Sequence, residues 1–425
     1  SGPPPQSAAM GGPTVPAAPR EGAVKSCLAS VGSVRRDDRM PARGTTGGSS
    51  KEATYDKLPT LVLQGGGALG SYQAGVYQAL AEWEYAVDWV AGTSIGAINA
   101  ALIAGNAPEH RLARLAAFWE TITEPSAHWP DWPDAWFGDS HRAAGALSAL
   151  LFGQPGFFEH WRPASWYLSG CAPSWYDTRS LRMTLERLID FDRINAGKTR
   201  LAVGAVNVET GSMVYFDSRE TRIGPEHIMA SSALPPGFPA VEIGGALYWD
   251  GGLYSNTPLE HVLSYYPRRS RLIFQVDLFP ARGGVPRTMD EVVERTKDIR
   301  YSSRTRTITD ELHTLHDIRH NLNLLLESLP AAMKDQPAAR ALSEIACVTT
   351  MDIAQIIYRP DEPQGASKDF AFARRTMRRR WEKGLADARA TLAQAPWRAP
   401  SRPEIGVRVF DVTGEARASR HEHPG

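Results

Sequence analysis

From residue 59 onward, short apolar runs alternate with segments in which apolar residues recur at helical spacing. The run PTLVLQ (59–64) has the length and composition of a buried strand. Apolar residues then recur at helical spacing up to residue 83, VDWVAG (87–92) indicates a second strand, and IGAINAALIAG (95–105) indicates a second helix. Strand, loop, helix, strand, turn and helix in this order are typical of a parallel α/β unit.

Strand patterns return beyond residue 200, and the pattern becomes mainly helical from about residue 285. A hairpin that turns at a glycine pair is predicted over 240–252, and further strands are predicted over 201–208, 213–218 and 271–279. A last helix is predicted over 369–393. Before it, one apolar helical face is predicted from Ile308, Leu312, Leu315, Ile318, Leu322, Leu325 and Leu329.

Two segments differ from this pattern in composition. Residues 1–56 hold no aromatic residue before Tyr55 and are rich in Pro, Gly, Ala and Ser, so a disordered arm is predicted. Residues 125–176 contain six of the twelve tryptophans of the chain, among prolines and glycines. Such an insert either caps a neighbouring cleft or packs its aromatic rings internally, and the sequence leaves both interpretations open.

Charge and cysteine usage narrow the class of protein. The 47 basic and 47 acidic residues cancel, so no overall field favours nucleic acid as a partner. Cys27, Cys171 and Cys347 show neither a disulfide pattern nor metal-ligand spacing, which indicates a reducing compartment. The sequence lacks an apolar stretch of about 18 residues and a secretory signal pattern, so a cytoplasmic location is expected.

The segment GTSIG (92–96) is the first candidate for chemistry. It places Ser94 between a predicted strand and a predicted helix, which is the context of a nucleophile elbow. The flanking glycines keep side chains away from the serine, and a helix N-terminus favours negative charge nearby. The alternative is an ordinary helix-capping serine.

A nucleophilic serine needs a base, and two kinds of residue are available. His313, His316 and His320 lie in a charged helical stretch and are predicted to be surface residues, so a Ser–His–Asp triad is disfavoured. Asp250 in YWDGG follows a predicted strand and precedes two glycines. Taken alone, this aspartate is more typical of a hairpin turn than of a catalytic base.

Taken together, the motifs GGGALG, GTSIG, ASSALPPGFPAVEIGGALYWDGG and NTP resemble, in this order, those of the patatin-like phospholipase family. The resemblance covers about residues 58–280 and implies a catalytic dyad of Ser94 and Asp250. It also implies that the backbone amides of Gly65, Gly66 and Gly67 form an oxyanion hole, with no cofactor and no metal ion. A phosphate-binding role for these glycines is less consistent, because the loop lacks the lysine of a Walker loop and the spacing of a dinucleotide site.

The resemblance implies a three-layer α/β/α fold with a largely parallel central sheet. The predicted organisation is a disordered arm (1–56), a catalytic domain (57–285) with an aromatic cap insert (125–176), a helical C-terminal extension (286–395) and a tail (396–425). Many relatives carry Arg or Lys where this chain has Leu69, which puts selectivity for phospholipid head groups in question.

The expected function is a serine acyl hydrolase that cleaves carboxylic esters of lipids through an acyl-enzyme. Two alternatives remain: an esterase for short-chain or hydroxyacyl esters, such as a storage polyester, and a membrane-associated scaffold without turnover. The expected partner is a lipid or acyl ester and not nucleic acid. Peripheral membrane contact and a homodimer through the C-terminal helices are further predictions, the former suggested by Arg375, Arg378 and Arg379 beside an apolar stripe. A charged solvent face over a buried stripe is the commoner interpretation of these arginines, and a second layer over the core is the alternative to the homodimer.

Overall fold

The computed structural model describes residues 57–123, 153–160, 174–402 and 405–414. The predicted N-terminal arm and most of the predicted cap insert lie outside the described residues.

The described strands form a nine-stranded sheet and a separate pair, β3–β4. The order of the large sheet is β11-β10-β9-β1-β2-β5-β8-β7, with β6 also paired to β5. The pairings from β11 to β5 are parallel, whereas β6, β7 and β8 are antiparallel to their neighbours. The bounds are β1 (Leu58–Leu63), β2 (Trp89–Thr93), β3 (Glu159–His160), β4 (Tyr176–Asp177), β5 (Arg200–Asn207), β6 (Met213–Asp217), β7 (Val241–Ile243), β8 (Ala246–Asp250), β9 (Arg271–Asp277), β10 (Met351–Ile357) and β11 (Val407–Phe410).

Helices connect most of these strands. Their bounds are α1 (Ser71–Glu82), α2 (Ile95–Ala104), α3 (Pro108–Thr121), α4 (Arg179–Leu188), α5 (Phe191–Asn195), α6 (Pro225–Ser231), α7 (Leu259–Ser264), α8 (Met289–Ser328), α9 (Ala331–Lys334), α10 (Pro337–Ile345) and α11 (Arg374–Gln394). Short 3₁₀ turns at Gly67–Gly70, Gly251–Leu253 and Lys368–Phe370 lie near the candidate site. Among the described helices, none has both the length and the apolar content to cross a bilayer.

Both faces of the sheet are covered, because the strands alternate between two cores. In β1, Leu61 and Leu63 pack into one core with α1, α2, α3 and α11. Val62 between them packs into the other core, where α7 contributes Leu259 and α8 contributes the partly buried Leu312. Buried apolar side chains on both faces confirm the predicted α/β/α layering and the largely parallel sheet.

The C-terminal part of the chain contributes strands, where the sequence predicted a helical extension (286–395) and a tail (396–425). β10 pairs in parallel with β9 along its whole length, and β11 pairs with β10. The run MDIAQII has the β-branched, apolar composition of a buried strand. The prediction of a purely helical extension was therefore incomplete, because β9 offers this run an edge to pair with.

The buried face of the long helix α8 is polar, contrary to the predicted apolar face. Leu315, Ile318 and Leu325 are exposed, whereas the buried positions include Glu294, Asp298, Ser302, Thr309, His316 and His320. The prediction that His316 and His320 lie at the surface was also wrong. His316 Nε2 donates to the Thr349 carbonyl oxygen at 2.8 Å, so the buried imidazole finds a backbone partner outside the helix.

Helices α1 and α11 pack with their backbones in close approach, which ties the two ends of the described chain together. A Cβ added at Gly75 would overlap the Trp381 carbonyl oxygen, and one added at Gly384 would overlap the Tyr72 carbonyl oxygen. The Tyr72 hydroxyl also donates to Asp387 at 2.9 Å. The absence of side chains at both glycines therefore sets the distance between the helices.

We expect Gly384→Val to lower the free energy of unfolding by about 1–3 kcal/mol, because the new side chain must push α1 away. Gly284→Val is the matched control, since nothing lies within 4 Å of a Cβ added at Gly284. Urea unfolding of both variants measures the difference. Equal stabilities would contradict the close approach of the two helices.

Candidate active site

Ser94 occupies a strained turn between β2 and α2. Its backbone has φ 56° and ψ −127°, and a positive φ is uncommon for a residue with a side chain. The flanking glycines permit this turn, because a Cβ at Gly92 would overlap the Gly96 carbonyl and one at Gly96 would overlap the Leu63 carbonyl. Ser94 is half-buried, whereas its neighbours on both sides are buried. The predicted nucleophile elbow therefore leaves its side chain partly accessible to solvent.

The register of β5 brings Asp250 next to this turn. Thr93, the last residue of β2, pairs with Gly204, and Asp250, the last residue of β8, pairs with the next residue, Ala205. β6 occupies the other edge of β5 at both positions. The C-terminal ends of β2 and β8 therefore meet head to head along one edge of a single strand.

The C-terminal end of α6 and the residues that follow it fix both Ser94 and Asp250 through hydrogen bonds. The Ser94 N–H lies 3.1 Å from the carbonyl oxygen and 3.1 Å from the hydroxyl oxygen of Ser231. The Ser232 hydroxyl donates to the Ser94 carbonyl oxygen at 3.2 Å. The Asp250 N–H donates to the Ala233 carbonyl oxygen at 3.0 Å. Three consecutive residues, 231–233, thus fix the backbone positions of Ser94 and Asp250 relative to each other.

The Asp250 carboxyl group is buried, with 2% of the residue exposed. Burial raises the pKa of Asp250 to about 7, against the opposing effect of hydrogen bonds from the Ser94 side chain and the Gly252 N–H. The Gly252 N–H lies 2.7 Å from Oδ1. A carboxyl group with this pKa is divided between its acid and base forms near neutral pH, as a proton acceptor for a serine requires.

The first glycine of the loop lies directly against Ser94. An ideal Cβ on Gly65 would lie 3.0 Å from the Ser94 Cβ and would overlap the Asn256 side chain. Asn256 holds this residue on both sides: its carbonyl oxygen accepts from the Gly65 N–H at 3.0 Å, and its Nδ2 donates to the Gly65 carbonyl at 2.9 Å. The Gly65 amide is therefore occupied in the described structure.

The next two glycines, Gly66 and Gly67, pack against residues from later parts of the chain. A Cβ on Gly66 would lie 2.8 Å from Leu278 Cδ1, and one on Gly67, where φ is +55°, would overlap the Asp369 carbonyl oxygen. Neither N–H donates to a backbone or side-chain acceptor in the part of the chain that the structure describes. Of the three predicted oxyanion residues, Gly66 and Gly67 thus keep open donors, whereas Gly65 serves the anchoring of the loop.

A buried polar network behind the loop was not predicted from the sequence. Gln64 Oε1 accepts from the N–H groups of Leu278 and Phe279, at 2.6 and 3.1 Å. Gln73 Nε2 donates to the Gln64 carbonyl at 2.6 Å, and Asn99 Nδ2 donates to Gln73 Oε1 at 2.9 Å. The available signal was Asn99, the single polar side chain in the apolar helix α2, since a buried amide must find partners.

Leu69 and the histidines occupy structural positions. Leu69 is fully buried in the core, so this position does not face a substrate head group. Three histidines bond elsewhere in the fold: His227 with the Gly224 N–H, His261 with Asp217 and His316 with the Thr349 carbonyl. Within the described ranges, no group of three His, Cys, Asp or Glu residues is placed to hold a metal ion.

Two family models match the chain. The model described as Patatin-like phospholipase matches residues 61–263, which include Ser94, Asp250, Asn256 and the three glycines Gly65, Gly66 and Gly67. A second model, described as Patatin phospholipase, matches residues 299–404. A comparison with curated protein sequences found no match.

The solved structures that the chain matches are similar to it only at a low level. VipD from Legionella pneumophila is 13% identical with a TM-score of 0.36, over 86% of this chain and 75% of that one. The type III effector ExoU is 16% identical with a TM-score of 0.28, over 80% of this chain and 53% of that one. A chain of the heterodimeric ExoU–SpcU complex of Pseudomonas aeruginosa is 17% identical with a TM-score of 0.25, over 68% of this chain and 58% of that one.

Burial of Asp250 predicts a pH-dependent stability difference between the wild type and Asp250→Asn. The folded-state pKa near 7 lies above the unfolded value, so the wild type loses up to about 4 kcal/mol of stability as the pH rises from about 4 through 7. The asparagine variant does not carry this loss. Its stability relative to the wild type should therefore increase over that interval, as measured by urea unfolding at several pH values. A difference independent of pH would contradict the raised pKa.

Proposed function

The chain belongs to the patatin-like phospholipase family, and from this premise we propose that it is a serine acyl hydrolase that cleaves carboxylic ester bonds of lipids through Ser94 and Asp250. The observation that carries the proposal is the contact between these two residues. A half-buried serine on a strained turn meets a buried carboxylate whose pKa is raised to about 7. This is the arrangement in which a carboxylate can activate a hydroxyl group.

Acylation begins when the Ser94 Oγ attacks the ester carbonyl carbon and its proton passes to Asp250. The carbonyl electron pair moves to the carbonyl oxygen, which then carries negative charge. The open N–H groups of Gly66 and Gly67 are the donors proposed for this oxyanion, and such donors typically contribute a few kcal/mol to the transition state. When the intermediate collapses, the bond to the alcohol oxygen breaks, and the leaving alcohol takes the proton from Asp250.

Deacylation repeats these steps with water. Asp250 accepts a proton from the water molecule as its oxygen attacks the acyl-enzyme carbonyl. The second intermediate collapses, the Ser94 oxygen recovers the proton, and a carboxylic acid leaves. A single carboxylate thus serves both halves of the reaction, which requires a pKa near the working pH.

The proposal does not specify the acyl group or the alcohol of the substrate ester. The buried Leu69 supplies no cation for a phosphate group, so an ester without a phosphorylated head group fits the site as well as a phospholipid does. Peripheral membrane contact, a cytoplasmic location and a homodimer through the C-terminal helices also remain predictions. A chain-length series of p-nitrophenyl esters, assayed beside defined phospholipids, separates lipid esters from short-chain esters.

We expect a fluorophosphonate probe to label the wild type at Ser94 and to leave Ser94→Ala unlabelled, because only an activated serine displaces the fluoride. Asp250→Asn should lower ester hydrolysis by about 10²–10⁴-fold. The matched control is Asp277→Asn, since Asp277 is another buried carboxyl group at a strand end, bonded to Gln275 and Thr257. Its turnover should stay within about threefold of the wild type.

Two results would overturn the proposal. One is an intact wild type that resists labelling under every lipid and detergent condition, which favours a scaffold without turnover. The other is an Asp250→Asn variant that hydrolyses esters at the wild-type rate.

The pH profile gives a separate test of Asp250 as the base. Only its ionised form accepts a proton, so kcat/KM should rise about tenfold per pH unit at low pH and level off near pH 7. The residual hydrolysis by Asp250→Asn should lack this inflection. A wild-type profile that is flat between pH 5 and 8 would assign the base elsewhere.

A further inference from the structure

A turn from the C-terminal part of the chain lies against the glycine loop. A Cβ added at Gly67 would overlap the carbonyl oxygen of Asp369, within the turn Ser367–Phe370. Gly67 carries one of the two open amides, so the turn touches the loop at the point where an oxyanion would be held.

The turn is anchored by a buried lysine. Lys368 is 2% exposed, and its Nζ donates to Glu294 Oε1 at 3.2 Å and to Asp298 Oδ1 at 2.5 Å. Both carboxylates are buried and lie one helical turn apart on α8. Buried charges persist only when they are closely paired, so this cluster tolerates little displacement of the turn.

The backbone of the same segment is held by α8 as well. Glu294 Oε2 accepts from the Gly365 N–H at 2.8 Å. Lys297 Nζ donates to the Ala366 carbonyl at 2.6 Å and to Asp369 Oδ1 at 2.7 Å. These bonds restrain the segment on both sides of Lys368.

Helix α11 restrains the turn from another side. Arg380 is 2% exposed, and its guanidinium donates to the Lys368 carbonyl at 2.9 Å and to the Ala371 carbonyl at 3.3 Å. Two helices of the C-terminal part thus hold the turn through charged hydrogen bonds, which are stronger than neutral ones.

The loop also reaches α8 by a second route. Gln64, which precedes the glycines, donates from Nε2 to the Tyr301 carbonyl at 3.3 Å. The Phe279 ring lies 5.5 Å from Lys368 Nζ and within 3.2 Å of a Cβ added at Gly66. The turn, the helix and the loop therefore form one packed unit.

We propose that the turn Ser367–Phe370, held by Lys297 and Lys368, is a positioning element that sets the amides of Gly66 and Gly67 against Ser94. This inference rests on the proposed function, because it assigns the oxyanion to those amides. Donors stabilise an oxyanion only at about 2.7–3.1 Å, and a misplacement of about 1 Å can cost on the order of 10²-fold in rate. The C-terminal part would thus act in the transition state without touching the substrate.

The test compares lysine variants of the full chain. Lys297→Met removes the bonds to Ala366 and Asp369 while the buried Lys368 cluster stays paired, so folding should survive. Lys297→Arg keeps a charged donor at this position and should therefore retain the wild-type turnover. Lys57→Met is the matched control: Lys57 donates to the buried Asp352 at 2.7 Å but precedes β1, about 20 Å along the strand from the loop.

In Lys297→Met we expect kcat for an ester to fall about tenfold or more while KM changes less than about twofold, since the donors act mainly in the transition state. Amide hydrogen exchange in a peptide covering residues 65–70 should become faster, because Gly65 and Leu69 carry the hydrogen-bonded amides of the loop. Lys297→Arg and Lys57→Met should show neither change.

The outcomes separate this inference from the proposed function. Unchanged exchange with wild-type kcat in Lys297→Met overturns the positioning role and leaves the hydrolase proposal intact. A loss confined to KM, or one shared equally by Lys57→Met, also overturns it. If the wild type neither turns over esters nor reacts with the probe, the proposed function fails, and the exchange comparison still decides whether the turn orders the loop.

Discussion

A carboxyl group that is 98% buried must find its hydrogen bonds inside the protein, and Asp250 finds them in the Gly252 amide and the Ser94 side chain. Two neutral donors do not offset the cost of removing the charge from water, so the pKa rises to about 7. The same burial that disfavours the charged form makes the group a competent base. The need of the buried carboxyl group for a hydrogen-bond donor explains the local geometry, in which the Ser94 side chain is one of its two donors.

The site is assembled from segments far apart in the sequence, and the C-terminal part is integral to it. β10 and β11 extend the sheet that carries the site, α11 packs on α1, and α8 reaches the residue before the glycine loop. The two matched segments, 61–263 and 299–404, are thus joined through one sheet. A division of the chain into a catalytic domain and an appended extension does not describe these contacts.

The sequence predicts the parts of this structure that depend on local patterns. The first strands and helices, the hairpin at Gly244, the elbow at Ser94 and the aspartate at a strand end all follow from periodicity and turn chemistry. The polar buried face of α8 does not, because Glu294 and His316 are stabilised by partners distant in sequence. Nor can a pattern of glycines tell which amides are free, since the bond from Gly65 to Asn256 exists only in the folded chain.

Thr93 and Asp250 pair with adjacent residues of β5, so the register of this strand fixes the distance between the ends of β2 and β8 in the active site. A longer or shorter connection between β2 and β5 leaves the spacing of hydroxyl and carboxyl group unchanged. One residue inserted between Gly204 and Ala205 would displace Asp250 by about 3.3 Å and turn the strand that carries it over. Insertions and deletions are therefore tolerable in the connection between β2 and β5, but within the eight residues of β5 they would separate Ser94 from Asp250. When such chains are recombined, β5 is the segment to keep intact.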